Sequence, residues 1–196
     1  LRYKLHKIPS ILYLMINAVF WNIRGMVKLS HFRRLRKLVA FHNIQLLVVC
    51  ETHVQMSLAE EFRVRLKFDY VVSHSAGRLW VFYKAPFCCS LLGEGAQFLT
   101  LSVQHPGLTG SVSFSAVHAA STGEDRQALW AGLLQCRPSH GSWVVCGDFN
   151  VVVGEEEKKG GRPFTVAEAN DFVTFMAAAG LVDGGFSGSR FTWCNN

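Results

Sequence analysis

Residues 142–150 read Ser-Trp-Val-Val-Cys-Gly-Asp-Phe-Asn. The β-favouring run 143–146 is short enough for a buried strand, and Gly147 breaks it just before a carboxylate, Asp148, and a carboxamide, Asn150. A rigid strand that delivers both groups from its end suits hydrolytic chemistry at a metal. An Asx-type turn after a strand would have the same local sequence. Recurrence favours the first reading. Residues 18–21 run into Asn22, 46–50 into Glu51 and 112–117 into His118. If these strands are neighbours, their ends meet at one edge. Asn22, Glu51, His118, Asp148 and Asn150 then make a site able to bind a hard cation, orient a phosphate and move a proton. A histidine at a strand end could donate a hydrogen bond or a proton to a phosphate oxygen, or simply be satisfied by the fold.

Such residues need a frame. The first strand is expected over 15–21. A helix follows over 29–41, with Phe32, Leu35, Leu38 and Val39 as an apolar stripe. Arg33, Arg34, Arg36 and Lys37 lie mostly off that stripe, as a solvated face or a DNA-contacting patch. Residues 45–50 are nearly all apolar and read as a central strand. A second helix starts at Ser57, with Leu58, Phe62 and Leu66 inward. Runs at 70–73, 79–83, 87–92 and 97–103 predict an antiparallel meander, with turns at Ala76-Gly77, Ala85-Pro86 and Gly93-Glu94-Gly95. Ser121-Thr122 caps a third helix, with Leu129 and Leu133 inward and Arg126 on its first turn. The charged loop 155–163 offers Lys158, Lys159 and Arg162 to a DNA backbone or to solvent. Thr165-x-x-Glu168 forms a capping box before a helix that buries Phe172, Phe175, Met176 and Ala179 and ends at Gly180. Residues 190–193 read as a last strand.

The 196 residues, 49% hydrophobic and 12% aromatic, suffice for a real core and argue against disorder. A formal net charge of +6 favours a polyanionic partner such as nucleic acid. None of the six cysteines has zinc-ligand spacing, which points to a reducing compartment and no structural metal. Arg2, Lys4 and Lys7 before the apolar stretch 11–16 mimic a signal peptide, but no small-x-small cleavage site follows. That stretch is also too short to span a bilayer, so neither secretion nor membrane insertion is expected.

In order, the segments Trp21-Asn22-Ile23-Arg24-Gly25, Glu51-Thr52, Arg126-Gln127-Ala128-Leu129-Trp130, Gly147-Asp148-Phe149-Asn150, Glu157-Lys158-Lys159-Gly160-Gly161 and Phe191-Thr192-Trp193 resemble the endonuclease/exonuclease/phosphatase superfamily. Within it, they resemble the endonuclease domain of plant LINE-type non-LTR retrotransposons. The resemblance implies an α/β (α+β) fold, a four-layer sandwich of two packed mixed β-sheets flanked by helices, like deoxyribonuclease I. The domain would cover 15–196 with its last strands missing, and 1–14 would be an extension of unclear origin. The resemblance further implies a Mg²⁺-dependent (Mn²⁺-compatible) DNA-nicking site. Glu51, helped by Asn22, would hold the cation, Asp148 would position or activate water, and Asn150 would bind the phosphate. His118 would stand where LINE endonucleases usually carry tyrosine, and Arg126 would be a phosphate or scaffold contact. The family's later aspartate and Asp-His pair do not occur in this sequence, so little or no activity is expected of it. Also implied are a nuclear, intracellular location and a reverse-transcriptase region in a parent polypeptide. A non-catalytic nucleic-acid-binding remnant and a phosphatase acting on an inositol phosphate or lipid are the alternatives.

Overall fold

The runs Leu46–Cys50 and Leu79–Tyr83 contain no charged residue, and a strand apolar on both faces must be covered on both. The computed structural model, which describes residues 16–188 and 191, buries every residue of both runs. The first sheet comprises β1 (Ala18–Asn22), β2 (Leu46–Cys50), β3 (Tyr70–Ser73) and β4 (Leu79–Tyr83), ordered β1-β2-β4-β3. The second comprises β5 (Cys88–Gly95), β6 (Phe98–Gln104), β7 (Val112–His118) and β8 (Ser142–Asp148), ordered β5-β6-β7-β8.

Each sheet contains one parallel pair, β1 with β2 and β7 with β8, among antiparallel neighbours. Parallel strands cannot be joined by a tight turn, so each pair needs a crossover helix. These are α1 (Leu29–Phe41) and α3 (Gly123–Gln135). α2 (Ala59–Leu66) and α4 (Val166–Ala179) complete the outer layers. Three apolar clusters hold four layers together. Phe32, Leu35, Phe62 and Leu66 pack the first two helices onto Leu47, Val49 and Phe82. Leu46, Val48, Cys50 and Val81 face Leu99, Leu101, Phe114 and Ala116 between the sheets. Leu129, Trp130 and Leu133 of α3 pack with Phe175 and Ala179 of α4 against Val117. This is the expected four-layer sandwich of mixed sheets.

Several local expectations need correction. The meander is split: β3 and β4 pair in the first sheet, and β5 and β6 in the second. Gly93 is no turn: it pairs with Thr100 just after a bulge at Leu92, and β5 runs on to Gly95. The second helix begins as a 3-10 turn, Met56–Leu58, and its Leu58 is exposed. Thr122 caps α3 by accepting from the Asp125 amide, as expected, but Thr165 makes no side-chain cap on α4. Of the strand expected at 190–193, all but Phe191 lies outside the described residues, as do residues 1–14. No helix among the described residues is long and apolar enough to cross a membrane.

Candidate active site

Strand alternation places the site. In β1, Ala18 and Phe20 face the inter-sheet core, and two residues on, the same row ends in Asn22. In β7 and β8, Phe114 and Ala116 lead to His118, and Val144 and Cys146 lead to Asp148. His118 and Asp148 are register partners on adjacent parallel strands, so their side chains leave the same face side by side. Gly147 lets the strands come this close: a Cβ there would stand 2.0 Å from the Val117 carbonyl oxygen. Glu51 is one residue out of step with Cys50 and would point away from the core in a regular strand. Its backbone is left-handed (φ 52°), which breaks the alternation and lets the carboxylate join the others. Arg24, His53 and Asn150 are left-handed too, so four of the six non-glycine residues in that conformation among the described residues surround the site. Non-glycine residues adopt it at some energetic cost, and such strain concentrates at functional positions.

The side chains meet. Asn22 Nδ2 donates to Glu51 Oε1 at 2.6 Å and to Asp148 Oδ2 at 3.2 Å, bridging two acids from different sheets. His118 Nε2 lies 3.2 Å from the same Glu51 oxygen, which makes it the donating nitrogen to a carboxylate. Asp148 Oδ1 accepts from the Asn150 amide at 3.2 Å, and Asn150 Nδ2 donates to the Ala119 carbonyl at 2.7 Å. Burial by itself would raise the Glu51 carboxyl, but the Asn22 and His118 hydrogen bonds, with the His118 and Arg24 charges, outweigh it and hold Glu51 below the usual glutamate range. Beneath the acids, burial pushes the Cys50 thiol far up, and the Asp148 and Glu51 charges add to that, so it stays a neutral core group. Two buried polar atoms here have no partner, Asn22 Oδ1 and His118 Nδ1.

The remaining candidates stand apart. Arg126 is buried, and its guanidinium donates to Asp171 Oδ2 (3.0 Å) and to the Ser121 (3.1 Å) and Asn150 (3.0 Å) carbonyls. These donors are directed at protein oxygens, among them the Asn150 carbonyl, whose backbone Arg126 holds. Lys158 is half-buried and Lys159 exposed, and among the described residues neither bonds to the strand-end cluster. A cleft runs between α3 and α4, lined in part by Ser121, Arg126, Trp130 and Asn150, beside the acids rather than over them.

The chain as a whole has counterparts among known proteins. Residues 19–196 match the Endonuclease/Exonuclease/phosphatase family. The chain belongs to that family. Its fold is similar to that of the AP endonuclease LMAP from Leishmania major, with TM-score 0.63 and 16% identity over 83% of this chain and 66% of that one. It is similar to the endonuclease domain of TRAS1, a telomere-specific non-LTR retrotransposon (TM-score 0.61, 10% identity, 83% and 71%). The 3′ phosphatase NExo of Neisseria, bound to product DNA hairpin, is a third (TM-score 0.54, 12% identity, 71% and 60%). The chain thus spans about two thirds of the Leishmania enzyme's length. No curated protein matches the sequence significantly.

Three participants in this member of the family escaped the sequence reading. Asp171 anchors Arg126 and accepts from the Trp130 indole at 2.9 Å. Gln97 accepts from the Ala120 amide at 2.5 Å and donates to the Asp125 carbonyl, fixing the turn after His118. His53 stands with Nε2 3.9 Å from Glu51 Oε2. The left-handed backbone at His53 has no signature in a Thr-His-Val sequence. Asp171, by contrast, falls four residues before Phe175 on the buried side of α4, where a carboxylate needs a buried cation.

Proposed function

We propose that this site hydrolyses phosphodiesters with a divalent cation, in the manner of a DNA-nicking endonuclease, and that the chain derives from a LINE-type retroelement. The carrying observation is the Asn22 bridge, which draws Glu51 and Asp148 together from separate sheets. The donor set fits Mg²⁺: Asn22 Oδ1 is buried without a partner, and Glu51 is kept ionised beside it. Both are hard oxygen donors, and Mg²⁺ keeps several waters, so it needs few protein ligands. Among the described residues no three His, Cys, Asp or Glu converge on one point, so Glu51 and Asn22 would be the holders. When bound, the cation supplies charge neutralisation at the phosphate and the leaving oxygen.

The chain's own residues do the rest. Asp148, held by the Asn150 amide and Asn22, has the geometry to orient a water on the inter-sheet face. His118 donates toward the phosphate from the neighbouring strand end once Glu51 is engaged elsewhere. Asn150 has one further amide hydrogen to offer, on a backbone that Arg126 fixes. Lys158, Lys159 and Arg162 contact the flanking DNA backbone. His118 is bonded to Glu51 and not to Asp148, and this arrangement keeps turnover low. Catalytic groups that act as a unit lose most of their rate when one member is absent.

A nicking assay on supercoiled DNA tests this reading. The expected result is slow or undetectable relaxation, with any residual activity abolished by EDTA and by Asp148→Ala. Nicking that persists unchanged in Asp148→Ala would overturn it.

A further inference from the structure

The charge of this chain is divided along its length. Residues 1–50 contain nine Lys and Arg and no Asp or Glu, whereas 51–196 contain eleven against all fourteen acids. The whole positive excess therefore comes from the first fifty residues. In the described part it is concentrated in α1, whose sequence LSHFRRLRKLVAF has four cationic residues and no acid.

α1 turns this charge outward. Phe32, Leu35 and Val39 are buried against the first sheet, and at 100° per residue Arg33, Arg34 and Lys37 fall on the opposite face, all exposed. The neighbouring helix is a contrast within the same layer. In α2, Arg63 pairs with Glu60 and Arg65 with Glu61, which neutralises that surface. Among the described residues Arg33, Arg34, Arg36 and Lys37 form no ion pair. α1 has among the described residues no intrahelical pairs like those of α2, and a face of like positive charge costs self-repulsion that a polyanion relieves.

The face also starts at the site. Gly25 N donates to the Glu51 carbonyl at 2.8 Å and Met26 N to the Thr52 carbonyl at 2.8 Å, so the segment leading into α1 is stitched to the loop that carries the acid. From residue 29 to residue 37 the helix extends about 12 Å at 1.5 Å per residue, the length of three to four base-pair steps at about 3.4 Å.

We propose that the outward face of α1, centred on Arg33, Arg34 and Lys37, binds the phosphate backbone of a nucleic-acid duplex beyond the point of cleavage. This rests on the reading of the site as one that acts on nucleic acid. The groups are long, exposed and flexible and meet phosphates rather than bases, so they add affinity without sequence preference and make it salt-dependent.

The test measures binding apart from hydrolysis. Fluorescence anisotropy of a labelled DNA duplex, in EDTA and over a range of salt, compares the whole chain with the triple variant Arg33→Ala/Arg34→Ala/Lys37→Ala. Each lost phosphate contact lowers the slope of log affinity against log salt by about 0.9, so the variant should lose about two to three from the slope and at least about tenfold in affinity at low salt. The charge-conserving Arg33→Lys/Arg34→Lys should keep the slope, and circular dichroism should show both variants folded. Hydrolysis of bis(p-nitrophenyl) phosphate, too small to reach α1, should not differ between wild type and the triple variant. An unchanged salt slope in the folded triple variant overturns the proposal, as does binding to phosphatidylserine vesicles with no binding to the duplex. Asp148→Ala should bind the duplex with the wild-type slope, so a failure of the hydrolytic reading leaves this measurement intact.

Discussion

At the scale of single residues, Asn22 does most to define the site. One amide group satisfies two acids that would otherwise repel, and it leaves its oxygen buried and unpaired. Replacing it by alanine removes a hydrogen bond from each carboxylate, the first of the causes that hold Glu51 below the ordinary range. Asn22→Ala should therefore move the Glu51 carboxyl titration upward, as followed by carboxyl-carbon NMR, and cost about 1–3 kcal/mol in chemical denaturation. A Glu51 titration that stays where it was would refute the bridging role. Much of this site is legible in sequence because alternation is strict: the apolar rows through Phe20, Ala116 and Cys146 each end in a polar residue two positions on. Glu51 is legible by type but not by direction, since its inward turn depends on a left-handed backbone that no residue type announces.

At the scale of elements, α3 and α4 are joined by a buried ion pair that also fixes the site. Arg126 reaches Asp171 from one helix to the other while bonding the carbonyl of Asn150. Burial alone would raise the Asp171 carboxyl, but bonds from Arg126 and Trp130 lower it below the usual range. Its folded state thus binds protons less readily than the unfolded chain. The stabilisation is fully present above about pH 4, the ordinary aspartate value, and is lost as pH falls through the lower folded value. Arg126→Ala leaves a buried carboxylate unpaired and should cost about 3–5 kcal/mol at neutral pH. The mutant should show a shallower acid limb in a denaturation series, because its Asp171 is no longer held low. An unchanged melting curve would show that the pair does not bind the helices. Helical periodicity marks Arg126 only as an off-stripe charge. Its burial is set by a carboxylate 45 residues away, and such pairing lies outside any local pattern.

At the scale of the molecule, the two β-α-β units are what make a site possible. Each supplies two parallel strands whose carboxyl ends emerge at one edge, and stacking the sheets brings four ends together, the position at which open α/β sheets bind ligands. The helices and nearly all strands follow from periodicity. The division of β3–β6 between two sheets does not, because a hairpin looks the same whichever sheet it joins, and partner choice is decided by packing across the core. The central claim is that these four ends form a cation site for phosphodiester chemistry, and it can be tested without any turnover. Electron paramagnetic resonance of Mn²⁺ added to the whole chain should show a bound ion, weakened at least about tenfold in Glu51→Gln and weakened also in Asn22→Ala. Mn²⁺ bound by Glu51→Gln as tightly as by the wild type would contradict the claim.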